Sequence, residues 1–181
     1  MEYPMTRVNT TSMRLTAEQF RTLYLEHGRR AQGFFMRMMG YDVQLARDMV
    51  QDLFTRIWEH RDSFKADASF TTWMFSIAYN MCKNEYRHRE IVQTYQEHIM
   101  ATTTNIASDA DTLEQRQRRQ MLAEAINHLP DSQKPLFLLR YEEELTVPEI
   151  ARITMLPEGT VKTRLLTALR SVKESMSKYN L

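Results

Sequence analysis

The sequence has one cysteine, Cys82, and only 4 glycines and 5 prolines in 181 residues. A single cysteine excludes an internal disulfide framework and fits a reducing compartment. The shortage of glycine and proline leaves few helix-breaking residues, and helix-forming residues dominate the rest. Hydrophobic residues make up 43% of the chain, which is enough to build compact cores. We therefore predict an all-α fold.

Long apolar runs are also missing. No segment approaches the roughly 20 apolar residues that span a bilayer. The opening stretch "MEYPMTRVNTTSMR" lacks the apolar centre of a secretory signal. We therefore expect no membrane insertion and a cytoplasmic location.

Motifs for metal binding and catalysis are absent from the pattern. The histidines show no ligand spacing and Cys82 has no cysteine neighbour. The five histidines are His27, His60, His88, His98 and His128. No glycine-rich phosphate loop or nucleophile motif occurs. We predict no metal, no cofactor and no enzymatic activity.

Charge is distributed unevenly although the net charge is only +1. From Glu158 to Leu181 there are five basic and two acidic residues. The span from Asp42 to Glu59 has the opposite balance, with four acidic residues and two arginines. Opposite charge on separate segments indicates more than one partner.

The periodicity divides the chain into two small helical domains and a linker. We expect a flexible N-terminus at 1–13, a first domain at 14–92, a linker at 93–112 and a second domain at 113–181. Thr16 and Gln19 predict a capping box for the first helix, Gly40 its end, and Asp42 the cap of the second. Ser69 is expected to cap the third.

The linker prediction depends on the stretch "MATTTNIASDAD", which is small, polar and aperiodic. Such a linker would let the two domains, the first block and the second block, move independently. In the second block, Pro130 should end the first helix and Asp131 or Ser132 should start a short one. Thr146 and Glu149 predict another capping box.

The stretch "LTVPEIARITMLPEGTVKTRLLTALRSVKE" predicts a helix-turn-helix, with the second helix as the reading helix. Gly159 would let the backbone approach a phosphate. Lys162 and Arg164 could reach phosphates, and Thr163 and Thr167 base edges. A helical hairpin with a solvated basic face is the alternative that these residues leave open.

Three segments in order resemble the extracytoplasmic-function sigma factors. The stretch above resembles their last domain, with its Gly-Thr-Val-Lys-Thr-Arg pattern. "ARDMVQDLFTRIWEH" is similar to their helix that docks on core RNA polymerase, and "SFTTWMFSIAYNMCKNEYRHR" to their promoter-opening helix. The resemblance covers nearly the whole chain.

The resemblance implies three sets of site residues. Docking on the β′ clamp helices would use Asp48, Gln51, Asp52, Arg56 and Trp58. Capture of a flipped base and contact with the melted minus-ten strand would use Phe64, Ser69, Phe70, Trp73, Asn80, Lys83, Asn84, Tyr86, Arg87 and Arg89. Reading of the minus-thirty-five element would use Thr160, Lys162, Thr163, Arg164, Leu166, Thr167 and Arg170. Thr167 and Leu169 stand where members often carry arginine, which leaves the DNA sequence read undetermined.

The predicted function is that of a sigma factor. Such a protein binds the β′ and β subunits of core RNA polymerase, recognises promoter DNA and nucleates its melting. The resemblance also allows a membrane-bound anti-sigma factor as a partner. From the residues alone, Trp73 and Ile77 also fit a helix core. An autonomous helix-turn-helix regulator and a helical adaptor for proteins are the alternatives, and the acidic second helix favours the sigma factor.

Overall fold

The structure, a computed structural model, describes residues 15–64, 69–95 and 113–178. Within them lie seven α-helices, a 3-10 helix at Arg61–Ser63 and no strand. The first block contains α1 (Ala17–Met38), α2 (Val43–Glu59) and α3 (Phe70–Tyr95). The second contains α4 (Leu113–Asn127), α5 (Lys134–Tyr141), α6 (Val147–Thr154) and α7 (Glu158–Ser177). The all-α prediction is confirmed, whereas the predicted N-terminal tail and residues 96–112 of the linker lie outside the described residues.

The predicted starts of α1 and α2 are confirmed by their hydrogen bonds, and α3 begins at Phe70, directly after Ser69. The Gln19 backbone N–H donates to Thr16 Oγ1 at 3.2 Å, and the Thr16 N–H donates to Gln19 Oε1 at 2.9 Å. Asp42 Oδ1 accepts from the Leu45 N–H at 2.9 Å. These side chains satisfy N–H groups that have no partner within the helix.

The corner between α1 and α2 places Gly40 in the left-handed region, with φ 69°. Glycine adopts this conformation without the steric cost of a Cβ atom. Tyr41 follows with φ 68°, and its N–H donates to the Met36 carbonyl at 2.7 Å. The predicted end of the first helix at Gly40 therefore has a conformational cause.

The core of the first block comes from one face of each of its three helices. In α2 the apolar residues that face the core are buried, except that Leu45 is half-buried and Trp58 exposed. In α3 Phe75 and Cys82 are fully buried. Trp73 and Ile77, which also fit a helix core in the sequence, are half-buried at its edge.

The helix-turn-helix core is confirmed in the second block. Ile150, Ile153, Val161 and Leu165 are buried. The expected start of α5 at Asp131 or Ser132 is wrong, because α5 begins at Lys134. The Pro130 carbonyl accepts the N–H groups of both Gln133 and Lys134, at 2.8 and 2.9 Å, which closes a turn first.

The two blocks pack against each other. Helix α3 contacts α6, and α1 contacts α4 and α5. Buried residues of both blocks belong to one continuous apolar cluster. This packing differs from the expectation of independently moving blocks, and α3 also continues to Tyr95, beyond the boundary expected at 92.

Candidate DNA-binding and docking surfaces

The corner between α6 and α7 holds the reading helix at a fixed angle. Met155 ends α6 in the left-handed conformation, with φ 57°, and its N–H donates to the Ala151 carbonyl. The Leu156 N–H donates to the same carbonyl at 3.2 Å. Pro157 precedes α7, and its carbonyl accepts from Val161 at 3.1 Å. These bonds orient α7 relative to the buried face of α6.

The outer face of α7 combines basic, hydroxyl and apolar side chains. Its exposed predicted residues are Lys162, Thr163, Leu166, Thr167 and Arg170. Leu166 is 66% exposed, which indicates that the fold does not use its apolar surface. This mixture suits DNA, because cations bind phosphates and apolar groups contact the thymine methyl group.

The threonine hydroxyls of this face donate within the helix. Thr163 Oγ1 donates to the Gly159 carbonyl at 2.9 Å, and Thr167 Oγ1 to the Thr163 carbonyl at 3.1 Å. Each oxygen keeps lone pairs that could accept a bond from a base. Lys162 Nζ lies 4.0 Å from Glu158 Oε2, a loose and exposed ion pair.

Two predicted reading residues, Thr160 and Arg164, lie to one side of this face. Both are half-buried. Arg164 Nη1 donates to the Ser132 carbonyl at 3.4 Å. Burial raises the pKa of Tyr79 on α3, and the nearby Arg164 charge opposes that rise. Arg164 therefore contacts the turn before α5, to one side of the outer face, and lies near Tyr79.

Helix α3 carries a line of exposed polar residues along one side. Asn80, Asn84 and Arg87 are exposed at helical spacing and continue the line from Trp73, with exposed Lys83 beside them. The other two predicted residues differ. Tyr86 donates its hydroxyl to the Met38 carbonyl, and Arg89 Nε lies 3.0 Å from Glu85 Oε1. Asn80, Lys83, Asn84 and Arg87 are therefore exposed together on α3. Tyr86 and Arg89 instead have partners within the chain.

Three aromatic rings cluster at the N-terminal end of α3. The ring of Phe64 lies 5.9 Å from Phe70 and 5.1 Å from Trp73, centroid to centroid. Phe70 and Trp73 are 6.0 Å apart. His27, which was not predicted here, lies 5.0 Å from Phe70. Ser69 is exposed beside the cluster, and residues 65–68 lie outside the described residues.

The outer face of α2 exposes all the predicted docking residues: Asp48, Gln51, Asp52, Arg56 and Trp58. Beside them is a groove of about 650 Å³ between α1 and α2. The ring centroids of Phe20 and Trp58 lie 5.1 Å apart across it, and those of Tyr24 and Phe54 lie 4.7 Å apart.

Three residues of this surface were missed by the sequence reasoning. Phe20 and Tyr24 show only helical spacing in the sequence, and Tyr24 is 47% exposed. The Arg61 guanidinium lies 4.3 Å above the Trp58 ring in a cation–π contact. The i,i+4 spacing of Phe20 and Tyr24 marks one helix face, but periodicity alone does not say whether that face is covered.

Neither metal nor membrane features emerge from the described residues. In ranges 15–64, 69–95 and 113–178, no three His, Cys, Asp or Glu side chains are grouped to hold a metal ion. No helix in this part of the chain is long and apolar enough to cross a bilayer.

Comparisons with known proteins match both blocks. The family model "Sigma-70 region 2" matches residues 23–90, and "Sigma-70, region 4" matches residues 119–172. The ECF RNA polymerase sigma factor RpoE of Cereibacter sphaeroides is 30% identical over 159 residues, which cover 87% of this chain and 86% of that protein. The chain belongs to the ECF RNA polymerase sigma factors.

Other relatives agree with this membership. The ECF sigma factor SigW of Bacillus subtilis is 28% identical over 149 residues, which cover 77% of this chain and 79% of that protein. This ECF sigma factor is therefore an RNA polymerase-binding, promoter-specific initiation factor and not an enzyme. The alternative of an autonomous regulator finds no support in these relatives.

Solved structures share the fold. The sigma factor RpoE in complex with the anti-sigma factor NepR from Bartonella quintana has a TM-score of 0.78 at 21% identity, covering 89% of this chain and 98% of that one. CnrH in complex with the cytosolic domain of CnrY has a TM-score of 0.65 at 21% identity, covering 90% of each chain.

Proposed function

We propose that three surfaces of this ECF sigma factor divide the work of initiation. The outer face of α2 docks on the β′ clamp helices of core polymerase. The aromatic cluster and the exposed line of α3 capture the melted minus-ten strand. The outer face of α7 reads the minus-thirty-five element. We also place this activity in the cytoplasm, where the promoter DNA is.

The observation that carries this proposal is the outer face of α7, where Lys162, Thr163 and Arg170 are exposed around Leu166. The buried face of the same helix packs on α6, so the outer face is presented rigidly. In a helix-turn-helix, this is the face that enters the major groove.

Melting needs no covalent chemistry. It needs rings on which unpaired bases stack and cations along the strand. Phe64, Phe70 and Trp73 supply the rings at the end of α3, and Lys83 and Arg87 supply exposed cations on the same helix. The melting surface is therefore proposed to run from the cluster along the exposed line.

The test combines binding to core polymerase with strand opening. Core would be added to the chain and a promoter duplex, and permanganate reactivity would report unpaired thymines. Asp52→Lys should abolish core-dependent opening by reversing a docking charge. Glu59→Lys, an exposed reversal on the same helix, is the matched control. Core-independent opening, or equal loss in both variants, would refute the assigned docking face.

We also propose an anti-sigma partner, because the structural neighbours RpoE and CnrH were solved with NepR and with the cytosolic domain of CnrY. Such a partner would be a protein that reversibly blocks the docking or DNA surfaces. Affinity capture with the full chain as bait, followed by a transcription assay with the captured protein, tests this. A captured protein that leaves transcription unchanged would contradict it.

A further inference from the structure

Two ion pairs join α1 to the segment that follows α5. Arg30 Nε lies 2.8 Å from Glu143 Oε2, and Arg30 Nη2 donates to the Glu143 carbonyl at 3.3 Å. Arg37 Nε lies 2.7 Å from Glu142 Oε1. The arginines are seven residues apart, so they share one face of α1. Both pairs therefore bridge the two blocks side by side.

Burial makes these pairs more consequential than surface pairs. The Glu143 side chain is only 7% exposed and that of Glu142 22% exposed. Removing one partner of such a pair leaves a poorly solvated charge behind. Loss of the arginines should therefore disfavour the contact between the blocks.

The same packing covers part of the helix-turn-helix. Thr72 Oγ1 of α3 donates to Glu149 Oε1 of α6 at 3.4 Å. Arg164 of α7 lies close to Tyr79 of α3. In a helix-turn-helix the first helix crosses the DNA backbone. Here α3 occupies one flank of that helix.

Contact between the blocks conflicts with simultaneous binding of both promoter elements. Elements at minus ten and minus thirty-five are about 25 base pairs apart, or about 85 Å at 3.4 Å per pair. Helices α3 and α6 touch in this arrangement, so the α3 line and the α7 face cannot be separated by that distance. Bridging a promoter requires the blocks to separate.

We propose that the Arg30–Glu143 and Arg37–Glu142 ion pairs are a latch that keeps the free chain closed, and that binding to core polymerase opens it. The proposal rests on the proposed function for its consequence, the bridging of two promoter elements. Only the open form can bind core productively. The apparent affinity for core is therefore the intrinsic affinity multiplied by the fraction of chains that are open. Weakening the latch should therefore strengthen core binding.

The first experiment measures the distance between the blocks by energy transfer in the full chain without polymerase. Dyes would be placed at Gln44→Cys on α2 and Glu174→Cys on α7, two exposed positions. Native Cys82 is fully buried, and burial raises its thiol pKa, so it should resist labelling. Transfer should fall in Arg30→Gln/Arg37→Gln and stay at the native value in the control Arg21→Gln/Arg29→Gln.

A charge exchange distinguishes loss of the ion pair from simple unfolding of the variant. Glu142→Arg alone should open the chain by placing two cations together. Combination with Arg37→Glu should restore the native transfer, because the pair is re-formed with its charges exchanged. Unchanged transfer in Arg30→Gln/Arg37→Gln, or failure of the exchange to restore it, would overturn the latch.

The second experiment titrates the same proteins with core polymerase. The latch variant should bind core roughly 3–10-fold more tightly than the native and control chains. An opened variant with unchanged core affinity would overturn the role of the latch in binding. Absence of core binding by the native chain would instead refute the proposed function, whereas the energy-transfer result would still decide whether the latch exists.

Discussion

Arg37 Nε lies 2.7 Å from Oε1 of Glu142, and the second carboxylate oxygen of Glu142 is buried without a hydrogen bond from any residue that the structure describes. Burial raises the pKa of Glu142 to about 7, the Arg37 charge opposes the rise, and the Glu143 charge adds to it. This half-satisfied carboxyl group between the blocks should titrate near neutral pH.

The first prediction is a pH dependence of stability caused by Glu142. Its pKa is higher in the folded chain than the ordinary 4.5, so the folded state binds more protons between about pH 4.5 and 7. The Glu142 contribution therefore favours folding at low pH and is lost as pH rises through 7. Glu142→Gln should remove this dependence, which amounts to about 2–3 kcal/mol between pH 5 and 8.

Urea unfolding of both proteins at several pH values checks this prediction. The difference between the two curves isolates Glu142 from neighbours that also titrate. Burial raises the pKa of Glu143 and lowers that of His27, so His27 opposes folding in acid. A difference that stays constant from pH 5 to 8 would contradict the assignment.

The second prediction concerns phosphate contacts on α7. Arg170 lies on the outer face, so Arg170→Gln should weaken binding to many duplexes and reduce the salt slope by about 1. Lys178→Gln, an exposed change just beyond α7, serves as the control. Filter binding to promoter and random duplexes across salt concentrations measures both. A changed base preference with an intact slope would indicate that Arg170 contacts a base.

The third prediction concerns base preference. Thr167→Val keeps the shape of the side chain but removes the hydroxyl oxygen, which donates to the Thr163 carbonyl and keeps lone pairs that could accept from a base. It should change the ranking of minus-thirty-five sequences while the salt slope stays constant. Selection from a randomised duplex pool, with core polymerase present, is the measurement. An unchanged ranking with uniformly weaker binding would contradict a role in base reading.

The fourth prediction concerns strand opening. Trp73 packs in the cluster beside Phe64 and edge-to-face with Phe70. Trp73→Ala should reduce opening roughly 10–100-fold, which corresponds to about 1–3 kcal/mol per stacked base. Trp73→Phe should recover part of this loss because a ring remains. Permanganate footprinting measures opening, and gel shift with core measures binding. The exposed change His88→Ala on α3 is the control, and an equal loss there would contradict a specific role of Trp73.

Local signals predicted much of this fold. The capping box at Thr16 and the cap at Asp42 use partners three residues away, so the sequence contains the whole interaction. At Thr146 the Glu149 carboxylate accepts from both the backbone N–H and the hydroxyl, at 2.8 and 2.6 Å. The start of α5 could not be predicted as well, because the Pro130 carbonyl and not a polar side chain decides it.

The contact between the blocks has no local signal. Arg30 and Glu143 are 113 residues apart, and each alone resembles an ordinary charge on a helical segment. Arg164 shows the same limit. Its position in the motif predicted a DNA contact, whereas its guanidinium donates to the Ser132 carbonyl, 32 residues away in the chain. Such contacts come from tertiary packing, which periodicity does not encode.

The last prediction tests whether the blocks adhere without the linker. A cleavage site for a specific protease would be inserted between Thr103 and Thr104, within a segment small and polar in sequence. After cleavage the two pieces should elute together in gel filtration at low salt, because a continuous apolar cluster and two ion pairs join them.

The ion pairs and the apolar contact can be distinguished by their response to salt. Screening weakens exposed charge pairs, whereas apolar burial persists. High salt should therefore separate the pieces only in part, and Arg30→Gln/Arg37→Gln should make them separate already at low salt. The exposed pair of substitutions Arg21→Gln/Arg29→Gln should leave the association intact.

The opposite outcome is that the native pieces separate immediately after cleavage. In that outcome the blocks would be independent, as the sequence alone had predicted. The contacts of α1 and α3 with the second block would then be too weak to hold the chain closed.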